Sequence, residues 1–196
     1  MKKSIAIVSL TVVCLAGLAI IAYALVPGKP GPDAPREGAA DRDSFVLAAA
    51  GKASLGGTQA PAMFPNKPDS LKLLSLDEAL SEAKATGKYV LIYFWTSWCP
   101  NCEIFNRQVL PDPAVLESLN RSYVFVSIDG DNDRDMLGRV FRVRGYPTLY
   151  ILDHNSEPAL VIPGRIPADT FAHVLNYIST GAHEKMGFEE YEATLS

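Results

Sequence analysis

The sequence predicts an α/β domain, a central mixed β-sheet flanked by helices, behind an N-terminal membrane segment and a linker. Three observations predict it. Two continuous apolar, β-prone runs, "YVLIYFW" (Tyr89 to Trp95) and "YVFVSID" (Tyr123 to Asp129), have the pattern of strands buried on both faces. Stretches with helical spacing precede, separate and follow them, the alternation that places helices against a sheet. Two shorter β-prone stretches, "TLYILD" and "ALVIPG", are joined by the turn "HNSE" and complete the sheet.

Taken in order, residues 1–26 come first. Lys2 and Lys3 precede an apolar stretch from Ile5 to Val26, with no further charge until Lys29. At ~1.5 Å per residue the stretch is long enough to cross a hydrocarbon core of ~30 Å. The lysine pair directly before it, against the single Lys29 just behind, puts the N-terminus inside and the remainder outside. A retained transmembrane anchor is the leading reading. A cleaved signal peptide is the rival, since "AYA" at Ala22 to Ala24 has the small-x-small form of a cleavage site. Either way the domain is exported, to a periplasmic or extracytoplasmic location, and the anchor reading ties it to the inner membrane. Residues 27–70 are rich in Pro, Gly and Ala and poor in large apolar side chains. Such a segment buries too little surface to offset its ordering entropy, and reads as a flexible linker with a reach of roughly 35 Å.

The ordered domain is expected over 71–180. "SLDEALSEAKATGK" opens with a capping box, Ser75 and Glu78. Leu76, Ala79, Leu80 and Ala83 follow at helical spacing, and Gly87 closes the helix. After the first long strand a helix starts at Cys99 and ends before Pro111, and Asp112 and Pro113 cap and start another. "DRDMLGRVFRV" is helical, with Met136, Leu137, Val140 and Phe141 on one face. "PADTFAHVLNYIST" (Pro167 to Thr180) is a terminal helix with Phe171, Val174, Leu175 and Ile178 inward. The tail, 181–196, is charged and peripheral.

The net charge of −4 gives no basic field for a phosphate backbone, which argues against nucleic-acid partners. Of three cysteines, Cys14 lies in the apolar segment, leaving Cys99 and Cys102 in the exported part. A structural zinc site needs about four N/S ligands, usually as two such pairs, and no second pair exists. No metal or cofactor is expected. A stapling disulfide across two residues would close almost no loop and remove little chain entropy. Redox chemistry is the favoured reading of the pair, with a soft-metal (copper) or substrate-binding chaperone module as the alternative from another class. His154 and His173 have no constellation that would make either a ligand or a base. "DGDNDRD" (Asp129 to Asp135) lacks the glycine and terminal glutamate of an EF-hand loop and reads as a solvated loop and helix cap.

"FWTSWCPNC" followed downstream by "VRGYPTLYILD" resembles the thioredoxin family, with its W-C-x-x-C helix and Pro-Thr loop. The resemblance covers about Leu73 to Thr180. "RGYPT" resembles the thioredoxin domains of protein disulfide isomerases, and the stretch from Glu78 to Leu119 resembles the C-terminal periplasmic domain of the DsbD family of transmembrane thiol reductases. It implies an exported thiol–disulfide oxidoreductase with a redox-active Cys99–Cys102 disulfide, acting on protein thiols and disulfides and re-reduced by a membrane or periplasmic partner. A disulfide oxidase or isomerase is the runner-up in the same chemistry. Pro100 and Asn101 carry no charge, which argues against the strongly oxidising end.

The resemblance also assigns roles. Cys99, at a helix N-terminus where N–H groups and the helix dipole favour an anion, attacks; Cys102, on the first turn and pointing inward, resolves. Pro147 is expected to be a cis proline beside Cys99, freeing the backbone of Tyr146 to pair with an extended substrate. Trp98, Tyr146, Pro147 and Thr148 form the substrate face, and Trp95 belongs to the core. Thioredoxins usually carry a buried aspartate and a partnering lysine where this chain has Tyr93 and Phe125. The two charges are missing together, as expected when a lone buried charge is costly. No buried carboxylate is then expected to tune Cys102, and Glu103 is the neighbour that could stand in for proton transfer.

Overall fold

In a computed structural model of the chain, the described residues are 62–132 and 140–195. The expected membrane segment, Cys14, most of the linker, and Met136 and Leu137 of one expected helix lie outside them. Among the described residues no helix is long and apolar enough to cross a membrane.

Five strands make one sheet in the order β1-β3-β2-β4-β5. They are β1 (Leu73–Leu74), β2 (Tyr89–Trp95), β3 (Tyr123–Asp129), β4 (Thr148–Leu152) and β5 (Pro158–Pro163). β1, β3 and β2 run parallel, whereas β4 and β5 are antiparallel to their neighbours, so the sheet is mixed as expected. β2 lies at its centre, bonded to β3 from Tyr89↔Tyr123 to Trp95↔Asp129 and to β4 from Val90↔Leu152 to Phe94↔Thr148. All its residues after Tyr89 are buried, which explains why the run is continuously apolar.

Side chains alternate between two cores. Leu91, Tyr93 and Trp95 face one side, under α2 (Pro100–Ile104), α3 (Pro113–Ser122) and α4 (Ala168–Ser179). Val90, Ile92 and Phe94 face the other, with Ala79 and Ala83 of α1 (Leu76–Thr86) and Phe141. The inward positions expected on α4, Phe171, Val174, Leu175 and Ile178, are all buried.

The caps form as the sequence dictates. Ser75 and Glu78 make the reciprocal capping box, and Gly87 takes the left-handed conformation (φ 73°) that ends α1. The Ser75 hydroxyl and amide hold the Glu78 carboxyl below its ordinary range. That contribution is present above the ordinary carboxylate range and is lost as pH falls through the lowered value. Asp112 accepts from the Ala114 and Val115 amides at the start of α3, with Pro113 in the first turn.

The structure differs from expectation at both ends of the domain. Phe64, within the stretch assigned to the linker, is 4% exposed in the first core, its ring 5.4 Å from Tyr93 and 6.4 Å from Trp95. Lys67 Nζ donates to the Pro68 and Leu71 carbonyls (2.8 and 2.9 Å), fixing the turn that brings Phe64 in. The C-terminal tail is peripheral but folded. It forms a 3₁₀ turn (Ala182–Glu184) and α5 (Phe188–Ala193) that return to α4. There Tyr177 meets His183, Phe188 and Tyr191 and donates to the Met186 carbonyl at 2.5 Å. His173 pairs with Glu192 at 3.2 Å.

Phe64→Ala is expected to destabilise the domain by about 3 kcal/mol, the cost of emptying a packed aromatic site. Denaturant unfolding measures it, and an unchanged midpoint would return Phe64 to the linker.

Candidate active site

β2 ends at Trp95 and hands the chain to "TSWC". Trp95 is 6% exposed, its Nε1 donates to Ser127 Oγ (2.9 Å), and its carbonyl accepts from Gly130 N (2.7 Å). It is core, as expected. The loop is then tied to the end of β3, where Asp131 Oδ2 accepts from Ser97 N (2.7 Å). Asp129 in turn accepts from Asp131 N and from Asn132 Nδ2 (2.9 and 2.7 Å). Among the described residues no three His, Cys, Asp or Glu side chains gather where they could hold a metal ion.

Cys99 is the N-cap of α2, in extended conformation, with Pro100 in the first turn. Its Sγ accepts from Cys102 N at 3.1 Å, and its carbonyl accepts from the amides of Cys102 (3.1 Å) and Glu103 (3.2 Å). The two cysteines form a disulfide, with Cα atoms 5.2 Å apart. Cys102 is 1% exposed, inward as expected. Cys99 is 6% exposed, less open than a nucleophile beside Trp98 was expected to be, because the bridge and the Cys102 amide turn its sulfur toward the helix. Unpaired N–H groups at a helix N-terminus are of the kind that favour an anion.

The second half of the site comes from β4. Its first residue, Thr148, pairs with Phe94, so the residues before it stand beside the loop that leaves β2. The Tyr146–Pro147 peptide bond is cis. The Pro147 carbonyl accepts from Gly164 N (2.8 Å), anchoring the loop to the end of β5. The Tyr146 ring stands edge-on to Trp98 with centroids 6.0 Å apart, and Trp98 is 61% exposed. A Cβ on Gly130 would fall within 3.0 Å of the Tyr146 phenol, so glycine at the end of β3 is what lets the ring lie there.

Two expected site residues are placed otherwise. Thr148 is 5% exposed and its hydroxyl donates to the Gly145 carbonyl (2.7 Å), so its side chain braces the loop rather than facing a substrate. Glu103 stands on the outer face of α2, its carboxylate 3.1 Å from Arg107 and its side chain 64% exposed. It neighbours Cys102 in sequence but not in direction, because adjacent helical residues point about 100° apart. Glu103 also lines a shallow depression beside the disulfide with Pro100, Ile104, Arg107 and Gln108.

Tyr93 and Phe125 do lie together, with ring centroids 6.3 Å apart. The Tyr93 hydroxyl donates to Asn106 Oδ1 at 2.9 Å, and both residues are buried. Burial pushes the phenol's pKa up, and the Asn106 bond offsets only part of the rise. Sequence reasoning missed Asn106, Gly130 and Asp131. The signal for Asn106 was present: Cys102, Phe105, Asn106 and Val109 form an inward helical stripe with one polar member.

A disulfide between the N-cap and the first turn of a helix, on a sheet that also carries a cis-proline loop, is an arrangement suited to thiol–disulfide exchange. The domain is a thiol:disulfide oxidoreductase of the thioredoxin-like class. The family model of the thioredoxin-like domain matches residues 76–179, more than half of the chain, and the chain belongs to that family. A thiol:disulfide interchange protein DsbD of Pseudomonas fluorescens is 31% identical over 101 residues, 49% of this chain and 17% of the relative. DsbD 2 of Pseudomonas aeruginosa is 33% identical over 101 residues, with the same coverage of 49% and 17%. The chain thus spans under a fifth of the length of these curated relatives. A thioredoxin from Thermus thermophilus, solved in solution, is 32% identical with a TM-score of 0.51, covering 56% of this chain and 87% of that one.

Gly130→Ala is expected to push the Tyr146 ring aside and lower kcat/KM for a protein disulfide about tenfold (~1.4 kcal/mol). A small aromatic disulfide, which needs no docking loop, should react at the unaltered rate. Equal losses with both substrates would show that the Gly130–Tyr146 contact does not serve docking.

Proposed function

We propose that the protein is an exported thiol–disulfide oxidoreductase that reduces disulfides in other proteins and is itself re-reduced by a membrane or periplasmic dithiol partner. The observation that carries this reading is the Cys99 sulfur at the N-cap of α2, accepting from the Cys102 amide. In the reduced protein Cys99, as thiolate, attacks one sulfur of a substrate disulfide. A Cys99–substrate bond forms, and the other substrate sulfur leaves with the electron pair and takes a proton from solvent. Cys102 then loses its proton and attacks Cys99 Sγ, releasing the second substrate thiol and closing the Cys99–Cys102 disulfide. The partner dithiol supplies the electron pair that reopens it. The aromatic pair Trp98 and Tyr146 offers apolar contact to the segment that carries the disulfide, with Pro147 holding the loop in place. Support for the reducing direction is the uncharged Pro100-Asn101 spacer, which adds no cation to stabilise the reduced form. A redox titration of the pair against glutathione tests it: a potential near the strongly oxidising end would make the protein an oxidase or isomerase instead.

Cys102→Ser is expected to accumulate mixed disulfides on Cys99, because resolution is lost, while Cys99→Ser accumulates none. Adducts through Cys102 in the Cys99→Ser protein would reverse the assignment. No disulfide reduction without added copper would favour the metal-chaperone reading.

Residues 1–26 are proposed as a retained anchor, on the strength of their uncharged length and the preceding lysines. The membrane-extracted protein should have the mass of the full chain and resist alkaline carbonate. A soluble species beginning at Leu25 would mean that "AYA" is cleaved.

A further inference from the structure

Behind the disulfide lies a polar pair to which the exchange scheme gives no task. Cys102, Phe105, Asn106 and Val109 occupy positions i, i+3, i+4 and i+7 of one continuous helix and are all buried. Three of them suit an apolar core. Asn106, 2% exposed, does not, and a buried amide persists only where its polar atoms are bonded. Asn106 sits where α2 passes into a π-helical turn (Phe105–Val109), a local widening that recurs at functional sites.

The amide is held from one side. The Tyr93 hydroxyl donates to its Oδ1 at 2.9 Å, and Tyr93 is itself fixed by Phe64, Phe105 and Phe125 at 5.4, 5.1 and 6.3 Å between ring centroids. With its oxygen engaged toward β2, the amide has its NH₂ as the other end. Helical side chains lean toward the N-terminus, and residues four apart are neighbours, so Asn106 leans over the turn that carries Cys102.

The surroundings are neutral. No Asp, Glu, Lys, Arg or His is buried among the described residues. Among the described residues the buried titratable groups of this core are Cys99, Cys102, Tyr93 and Tyr123, with Tyr89, Tyr146 and Tyr177 packed at its edge, and the Tyr123 hydroxyl donates to the Leu175 carbonyl at 2.6 Å. Glu103 and Arg107 pair on the outer face of the helix. A buried thiol is hard to ionise in such a place unless a donor meets the thiolate.

We propose that Asn106, oriented by Tyr93, is a positioning residue for the resolving step: its NH₂ donates to Cys102 Sγ as that thiol ionises, so a neutral amide–phenol pair activates the buried cysteine. The bonds made and broken are those of the exchange reading, on which the proposal rests. The Cys102 proton goes to solvent, the Cys99–Cys102 bond forms and the substrate thiolate leaves.

The test uses the reduced full chain in detergent, in a Cys14→Ser background, with 5,5′-dithiobis(2-nitrobenzoate) as the disulfide probe. Attack by Cys99 releases a first coloured thiolate in a phase that scales with probe concentration. Resolution by Cys102 releases a second in a concentration-independent phase. Asn106→Leu is expected to slow the second phase about tenfold at pH 7 and to move its pH midpoint up by about one unit, leaving the first phase as it was. Tyr93→Phe, which keeps the ring, should shift the second phase the same way by a smaller factor. A second phase with unaltered rate and pH midpoint in Asn106→Leu overturns the proposal, even if the melting temperature falls. Should Asn106→Leu not fold, an unaltered second phase in Tyr93→Phe overturns it instead. If the unsubstituted protein shows no second phase, it is the exchange reading that fails.

Discussion

The active site hangs from one pairing in the middle of the sheet, Phe94 with Thr148. β2 carries the cysteines beyond its C-terminal end, and β4 begins immediately after Pro147. Because the two strands are antiparallel and pair at those residues, the loop leaving one and the loop entering the other are forced together. Neither loop needs to find the other by its own side chains. The sheet holds this register because Phe94 and Tyr93 face opposite cores: a slip by one residue would put every side chain of β2 on the wrong side. The end of β3 adds a third anchor, through Gly130 to Trp95 and Asp131 to Ser97.

On that frame the chemistry is a matter of unequal environments for two like groups. Cys99 caps α2 and already accepts an N–H as a disulfide sulfur, so its thiolate inherits a partner. Cys102 is one turn on and enclosed, and the partner proposed for its thiolate is the Asn106 amide. On the exchange reading proposed above, that difference would set the order of events, with Cys99 attacking and Cys102 resolving. The rest of the core avoids charge. Placing tyrosine and phenylalanine where a buried ion pair could sit removes two desolvation penalties at once, and a hydrogen bond between neutral groups takes the remaining polar slot.

Most of this frame was legible in the sequence. β2 and β3 matched their apolar runs end to end, and the capping box and Asp112-Pro113 fixed two helix starts, because these signals are local and periodic. The misreadings share a cause. Phe64 is one aromatic in a Pro- and Gly-rich stretch, and a single residue has no period; only its contacts with Tyr93 and Trp95 reveal it as core. Glu103 is suggested by adjacency to Cys102 and Thr148 by the resemblance of its loop, whereas helix rotation turns the first outward and the Gly145 carbonyl holds the second in. Gly130 and Asp131 lie more than thirty residues beyond Cys99 in sequence, and only the β2–β3 register brings them to the site.

The same register explains why the exposed part of the site is small. Trp98 stands in solvent while Cys99 beside it is nearly covered, and Tyr146 lies edge-on between Trp98 and the backbone of Gly130. A substrate therefore meets an aromatic edge and a backbone strand before it meets sulfur. Aromatic edges contribute through area and shape, and backbone atoms pair with any extended segment; neither reads a particular side chain. On the proposed function, a surface of this kind would suit accessible disulfides in locally extended chains better than disulfides inside a packed fold. Such a surface also suits a core built without buried charge, since a neutral site keeps its geometry while the disulfide opens and closes.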